Sequence, residues 1–283
     1  MALNTLNFPR FSRLGRALLV LVAMGIGLSA CASNRQRVVA IYVERPIGQI
    51  YADAWAQIQR GNWLIAGAQF DEVERQHPYS IWARRAMLMS AYCYYQANQY
   101  EEAIRASNAF IQLHPGNRNV PYAYYLKAVS LYEQIPDVYH DQAKTTEAMV
   151  ALQDLIQRYP DSEFARDARL KIDLTRDHLA GKEMAVGRYY LRAGETLAAI
   201  VRFQNVVDTY QTTSHTPEAL ERLTEAYLTL GLVSEAQTAA AVLGYNYPGN
   251  PWYQDAYSLL TDADIEPVVD EASWISRAFS SLF

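Results

Sequence analysis

The sequence predicts an all-α solenoid of about five helical hairpins closed by a C-terminal capping helix. Three observations predict it. Five segments share one spacing: an Ala, a mostly apolar residue four later, an apolar residue seven later and usually a Pro twelve later. They are Ala66/Phe70/Val73/Pro78, Ala103/Ser107/Phe110/Pro115, Ala148/Leu152/Leu155/Pro160, Ala199/Phe203/Val206/Gln211 and Ala236/Ala240/Leu243/Pro248. Steps of four and seven put these side chains on one helical face, and a Pro marks the exit because it cannot continue a helix. Second, short turns precede four of the five: Gly61-Asn62, Asn98-Gln99, Gly194-Glu195 and Gly231-Leu232. Gly and Asn tolerate the left-handed conformation that ends a helix. Third, a small residue stands twelve before the Ala (Ala54, Ala91, Gly187 or Thr224), and a Tyr nine before it in three cases (Tyr94, Tyr190, Tyr227). A small residue lets the two helices of a hairpin approach, and the Tyr fills the space beside it.

In chain order, residues 1–30 stand outside this pattern. Arg10, Arg13 and Arg16 form a basic stretch ahead of Ala17 to Leu28, an apolar run of twelve residues. Spanning a bilayer takes about 20, so the run suits a cleaved export signal. It ends in Leu28-Ser29-Ala30-Cys31, which resembles the bacterial lipobox. That resemblance implies cleavage before Cys31 and acyl chains on it, a stable anchor because two or more chains bury enough methylenes. Ala32, rather than Asp, follows the Cys, which by the enterobacterial sorting pattern implies the cell outer membrane, facing the periplasm. Residues 31–47 then read as a lipidated tether ending near Pro46.

The repeats fill the remainder. Residues 48–160 hold repeats 1 to 3, and residues 161–261 hold repeats 4 and 5 with the cap. Repeats 1 to 2 and 4 to 5 are offset by 37 residues, whereas repeat 3 follows at 45 and repeat 4 at 51. The extra length falls in an insertion around Glu133–Gln142 and in a longer first helix of repeat 4, Ser162 to Ala180, with Asp161 or Ser162 as its N-cap. No single hairpin can bury its own apolar face, so stacking is obligatory and a terminal helix must close the stack. Trp252 to Leu260, after Pro251, is that helix. The tail, residues 262–283, is acidic and then apolar. Trp274, Ala278 and Leu282 share a helical stripe with Ile275 and Phe279, and the segment is expected to dock or to stay disordered.

Composition excludes several function classes. Hydrophobic residues make up 51 % of the chain, enough for a core, and the net charge of −5 with no basic run after residue 31 argues against nucleic acid. Cys31 and Cys93 are the only cysteines, too few for a disulfide framework. Cys93 lies in Tyr92-Cys93-Tyr94-Tyr95, where a small packed side chain is expected. His77, His114, His140, His178 and His215 show no metal-ligand spacing, and no phosphate loop or nucleophile turn is present. No enzyme activity, metal or cofactor is expected beyond the lipid on Cys31. Tyrosine is abundant at 21 residues. Tyr51, Trp55, Tyr92 and Tyr95 are candidate groove residues, since aromatic rings offer stacking and hydrogen bonding without demanding one sequence.

The small residue, the aromatic, the turn Gly, the Ala and the Pro resemble, position by position, the landmarks of the tetratricopeptide repeat, whose period is about 34 residues. Longer stretches carry a narrower resemblance. Asn119 to Tyr132 (NVPYAYYLKAVSLY), Pro160 to Ala165 (PDSEFA) and residues 178–211, which open HLAGKEMAVGRYYLRAGE, are similar to the BamD family, lipoproteins of the β-barrel assembly machinery. The likeness covers roughly residues 28–250. It implies a non-enzymatic scaffold that binds BamA through the C-terminal repeats, works beside other lipoproteins of the complex, and receives unfolded outer-membrane proteins on the N-terminal repeats. In that family an Arg eight residues after the repeat-4 turn Gly contacts BamA; Arg202 stands at that offset from Gly194, and a guanidinium suits a partner carboxylate. The family often has Arg-Asp-Gln in the insertion, where this chain has His140-Asp141-Gln142, and repeat 4 ends in Gln211 in place of Pro. The competing readings are a repeat lipoprotein of cell-wall or division complexes and a cell-wall enzyme carrying repeats; the second would need a catalytic domain for which little chain is left.

Overall fold

In a computed structural model residues 44–280 are described, and all but Glu44 belong to one compact unit that begins at Arg45. Cys31, the export signal and Leu282 lie outside the described residues. Twelve α-helices and no strand are present among them: α1 (Ile47–Gln59), α2 (Trp63–Gln76), α3 (Ile81–Gln96), α4 (Tyr100–Leu113), α5 (Val120–Tyr132), α6 (Ala143–Arg158), α7 (Glu163–Arg192), α8 (Thr196–Thr209), α9 (Thr216–Thr229), α10 (Val233–Asn246), α11 (Pro251–Asp262) and α12 (Trp274–Ser280). The first ten pair as five hairpins, α11 caps the last, and α12 belongs to the tail. The expected solenoid is the observed one.

The register follows the spacing pattern. All fifteen residues at the Ala, +4 and +7 positions are buried, from Ala66, Phe70 and Val73 through to Ala236, Ala240 and Leu243. The four short turns are built alike. Gly61, Asn98, Gly194 and Gly231 have φ of 75°, 57°, 81° and 73°, and the next residue donates its N–H five residues back, to Gln57, Tyr94, Tyr190 and Tyr227, each at 2.9 Å. This is the Schellman closure, which satisfies carbonyls the helix end would leave open. The second helices also exit alike. Their C-caps, His77, His114, Tyr159, Tyr210 and Tyr247, have φ between −124° and −135° and ψ between 33° and 60°. Four of them precede Pro, which excludes the residue before it from the helical region. Tyr210 adopts the same exit before Gln211.

First helices touch one another along the stack, α1 with α3, α3 with α5, α5 with α7, and α9 with α11. They form an inner row, with the second helices outside it. Two places depart from a regular repeat. Residues 133–142 form the expected insertion, folded on itself as Gln142 Nε2 donates to the carbonyls of Asp137 (3.0 Å) and His140 (3.1 Å). The long first helix of repeat 4 runs further than Ala180: α7 is one helix of 30 residues, about 45 Å long. Nothing interrupts it, because its first half packs Ala168 into hairpin 3 while Met184 and Gly187 serve hairpin 4. Ser162 is its N-cap residue, but the hydroxyl donates to the Tyr159 carbonyl instead of accepting a helix N–H.

The tail docks. Ile275 and Phe279 of α12 are buried against α8 and α10 in the largest core cluster. Gln237 donates to the Glu266 carbonyl (2.7 Å), and Asp270 N–H to Thr238 Oγ1 (3.3 Å). Gln211, the residue that replaces the repeat-ending Pro, donates through Nε2 to the Ala278 carbonyl at 2.9 Å. A Pro could not make that bond.

Candidate interaction surfaces

The predicted groove residues separate into two groups. Tyr51 and Trp55 both stand on α1. Tyr51 is half-buried, edge-on to Phe70 (5.2 Å between centroids) and Trp82 (4.9 Å). Burial pushes its hydroxyl up, against the pull of Arg85; it works as hairpin packing as much as surface. Trp55 is 46 % exposed and free to meet a ligand. Tyr92 and Tyr95 stand on α3. Tyr92 packs edge-on to Trp63 at 5.9 Å. Tyr95 donates to Glu133 Oε1 of the insertion (3.4 Å) and lies 6.1 Å from the Tyr100 ring.

The structure extends this second group in a direction the sequence reading did not single out. Tyr92 and Tyr95 pack on the same small cluster as Tyr122 of α5. Tyr122 is followed by Tyr125 (6.5 Å) and by Phe164 of α7, which is 5.2 Å from Tyr122 and 5.1 Å from Tyr125. Three successive first helices thus present one aromatic row. Burial pushes the Tyr122 hydroxyl up to about 12. Burial and its bond to Asp167 Oδ2 (2.8 Å) push that of Tyr125 up as well. Both are neutral hydroxyls near pH 7. A cleft of about 570 Å3 opens beside the row, walled by Leu88, Tyr122 and Phe164. A signal for it was present: Tyr122 and Tyr125 repeat, one hairpin later, the three-residue step of Tyr92 and Tyr95.

Arg202 lies on α8, and its Nη1 donates to Glu183 Oε2 of α7 at 3.2 Å. Its side chain is 42 % exposed, so the guanidinium keeps donors toward solvent. Further along, Arg188 grips both oxygens of Glu218 (2.8 and 2.9 Å), tying α7 to α9. Arg222 donates to Glu225 (2.7 Å) and lies over the Trp252 ring of the cap. Glu221, nearly fully buried beside Arg222, has its carboxyl pushed up to about 7 by burial.

Cys93 is a free, fully buried thiol whose pKa burial raises to about 12, so it packs and does not react. Among the described residues no cluster of His, Cys, Asp and Glu could hold a metal, and no helix is long and apolar enough to cross a membrane. In the insertion, Asp141 and Gln142 serve the local fold, and His140 is exposed.

Fold and surfaces together define a helical-repeat scaffold: paired helices, an aromatic inner row and charged contacts between hairpins. Residues 44–243 match the family model "YfiO: Outer membrane lipoprotein". Relatives named outer membrane protein assembly factor BamD are similar over most of their length. That of Caulobacter vibrioides is 55 % identical over 251 residues, 89 % of this chain and 82 % of the relative. That of Rickettsia prowazekii is 44 % identical, over 88 % of this chain and 98 % of the relative. That of Neisseria meningitidis serogroup A is 31 % identical, over 86 % and 95 %. A solved repeat protein of Thermus thermophilus aligns at 17 % identity with a TM-score of 0.35, covering 76 % of this chain and 98 % of its own. The chain belongs to the BamD family of outer membrane lipoproteins, whose members are assembly factors and not enzymes.

Proposed function

We propose that this chain is a lipid-anchored scaffold of the β-barrel assembly machinery. It is held at the periplasmic face of the outer membrane through acylated Cys31. It binds BamA through repeats 4 and 5 and takes up segments of unfolded outer-membrane proteins on the inner row of repeats 1 to 3. The observation that carries the substrate half is the aromatic row from Tyr92 and Tyr95 through Tyr122 and Tyr125 to Phe164. Barrel strands alternate apolar and polar side chains with aromatic girdles. A row of rings with neutral hydroxyls stacks on the former and hydrogen-bonds the backbone without reading one sequence. The partner half rests on Arg202, whose bond to Glu183 holds the guanidinium at the surface. A partner carboxylate would complete a bidentate pair with it.

The test is affinity capture from solubilised membranes. A BamA-like barrel protein should come down with the wild-type chain in stoichiometric amount. Arg202→Glu should lower that yield while costing less than about 1 kcal/mol of stability, because the intramolecular pair is half exposed. A loss of capture that only follows a loss of folding would refute the role of Arg202. Capture of cell-wall or division proteins instead would refute the assignment to barrel assembly.

A further inference from the structure

An open cleft of about 770 Å3 lies at one corner of the solenoid between the start of α3 and the α4–α5 loop. It holds three exposed arginines, Arg84, Arg85 and Arg118, and no carboxylate lines it. Among the described residues none of the three has an acid within ion-pair distance. In a chain of net charge −5 that is a local reversal of sign. Its surround is apolar and open to water: Ile81 is 62 % exposed, Leu113 60 %, and Tyr79, two residues before Ile81, is fully exposed. Arg85 lies over the Trp82 ring at 5.7 Å. Apolar and aromatic side chains mixed with unpaired arginines are what a phospholipid surface receives: rings and aliphatic chains at the headgroup boundary, guanidinium groups on phosphates.

The course of the chain points to the same corner. Arg45 N–H donates to Gln76 Oε1 (2.8 Å), and the His77 ring donates to the Arg45 carbonyl (2.8 Å). The tether therefore joins the solenoid two residues from Tyr79. Thirteen residues separate Cys31 from Arg45, a reach of at most about 50 Å. We propose that this corner rests on anionic phospholipid headgroups of the membrane that holds the anchor, as a second, electrostatic attachment that orients the repeats. The placement argument rests on the lipid-anchor reading; the surface chemistry does not.

The test uses the chain from Ala32, which lacks the anchor but keeps the whole compact unit with its own core. It is floated with vesicles of phosphatidylethanolamine and phosphatidylglycerol, and with vesicles of phosphatidylcholine alone. Binding is expected to the anionic vesicles only, and to weaken as salt rises. Arg84→Ser with Arg118→Ser should weaken it about 25-fold, at about fivefold per arginine. Both sites are exposed, so the melting curve should not move, and Arg192→Ser, on exposed α7 surface, should bind as wild type. Absent binding, equal binding to phosphatidylcholine, or an unchanged double variant would overturn the proposal. So would a double variant that binds vesicles normally but loses a labelled decaglutamate peptide, which would make the cleft a peptide site. Mass spectrometry of Cys31 tests the anchor separately, and an unacylated cysteine would leave the vesicle result standing.

Discussion

Hairpin 4 gives the most demanding test of how these repeats are held together. Gly187 of α7 faces Phe203 of α8. A Cβ added there would lie 2.4 Å from Phe203 Cε1, 2.8 Å from Cζ and 2.9 Å from Cδ1, where carbon atoms normally meet at about 3.5–4.0 Å. Phe203 is fully buried, so its ring has nowhere to turn and the two helices must separate. Overpacking of this kind costs about 1–3 kcal/mol. Alanine's better helix propensity returns up to about 1 kcal/mol. With three contacts below 3.0 Å on a ring that cannot move, the cost falls in the upper part of that range, about 2–3 kcal/mol, so Gly187→Ala should destabilise the protein by about 1–2 kcal/mol in urea unfolding. At about 2–4 °C of melting temperature per kcal/mol for a domain of this size, the shift is readily measured. Gly48→Ala on α1 is the control: Gly48 is exposed with nothing within 4 Å of its added Cβ, so only the propensity gain remains and stability should rise. Phe203→Leu in the Gly187→Ala background should recover part of the loss, with a coupling of about 0.5–3 kcal/mol. A Gly187→Ala protein as stable as wild type, or strictly additive effects in the double variant, would refute the idea that close approach at this position sets the hairpin.

Other predictions follow from the buried carboxyl, the tail and the anchor. Glu221 has a folded pKa of about 7 against a reference of 4.5, so the native state keeps a proton that the unfolded chain releases. Stability from this group is greatest below about pH 4.5, falls as pH rises toward 7 and stays lower above, by about 3 kcal/mol in all. Glu221→Gln should therefore gain about that much over wild type between pH 5 and pH 8 in urea titrations; a constant difference across that range would refute it. Ile275→Ala, which opens a cavity where α12 docks, should cost about 2–4 kcal/mol in thermal unfolding, whereas a detached tail would make it neutral. Cys31→Ala should abolish acylation, and continued fatty-acid labelling of the variant would refute the anchor.

The repeats were legible because every hairpin obeys the same local constraints. The Ala, +4 and +7 residues all face the core, the left-handed turn needs Gly or Asn, and the exit excludes the helical region before Pro. Those constraints act within a few residues, so they leave a mark on the sequence each time. The full length of α7 was not legible, since no local breaker marks where an extra stretch joins a repeat helix. Gln211 looked like a weakened exit; its true function is a bond to a carbonyl 67 residues away, and no local pattern encodes that.

The surfaces follow the same division. Tyr122 and Tyr125 were readable in principle, because they repeat the step of Tyr92 and Tyr95 on the next first helix. The arginine corner was not, because Arg84 stands on α3 and Arg118 in the α4–α5 loop, far apart in the chain, and no basic run announces them. Binding surfaces on a solenoid are assembled between repeats, whereas repeat motifs describe what happens inside one. Tyr51 marks the boundary. Its spacing was right for an inner helix, yet its ring packs edge-on to both Phe70 and Trp82, whereas Trp55 on the same helix is 46 % exposed.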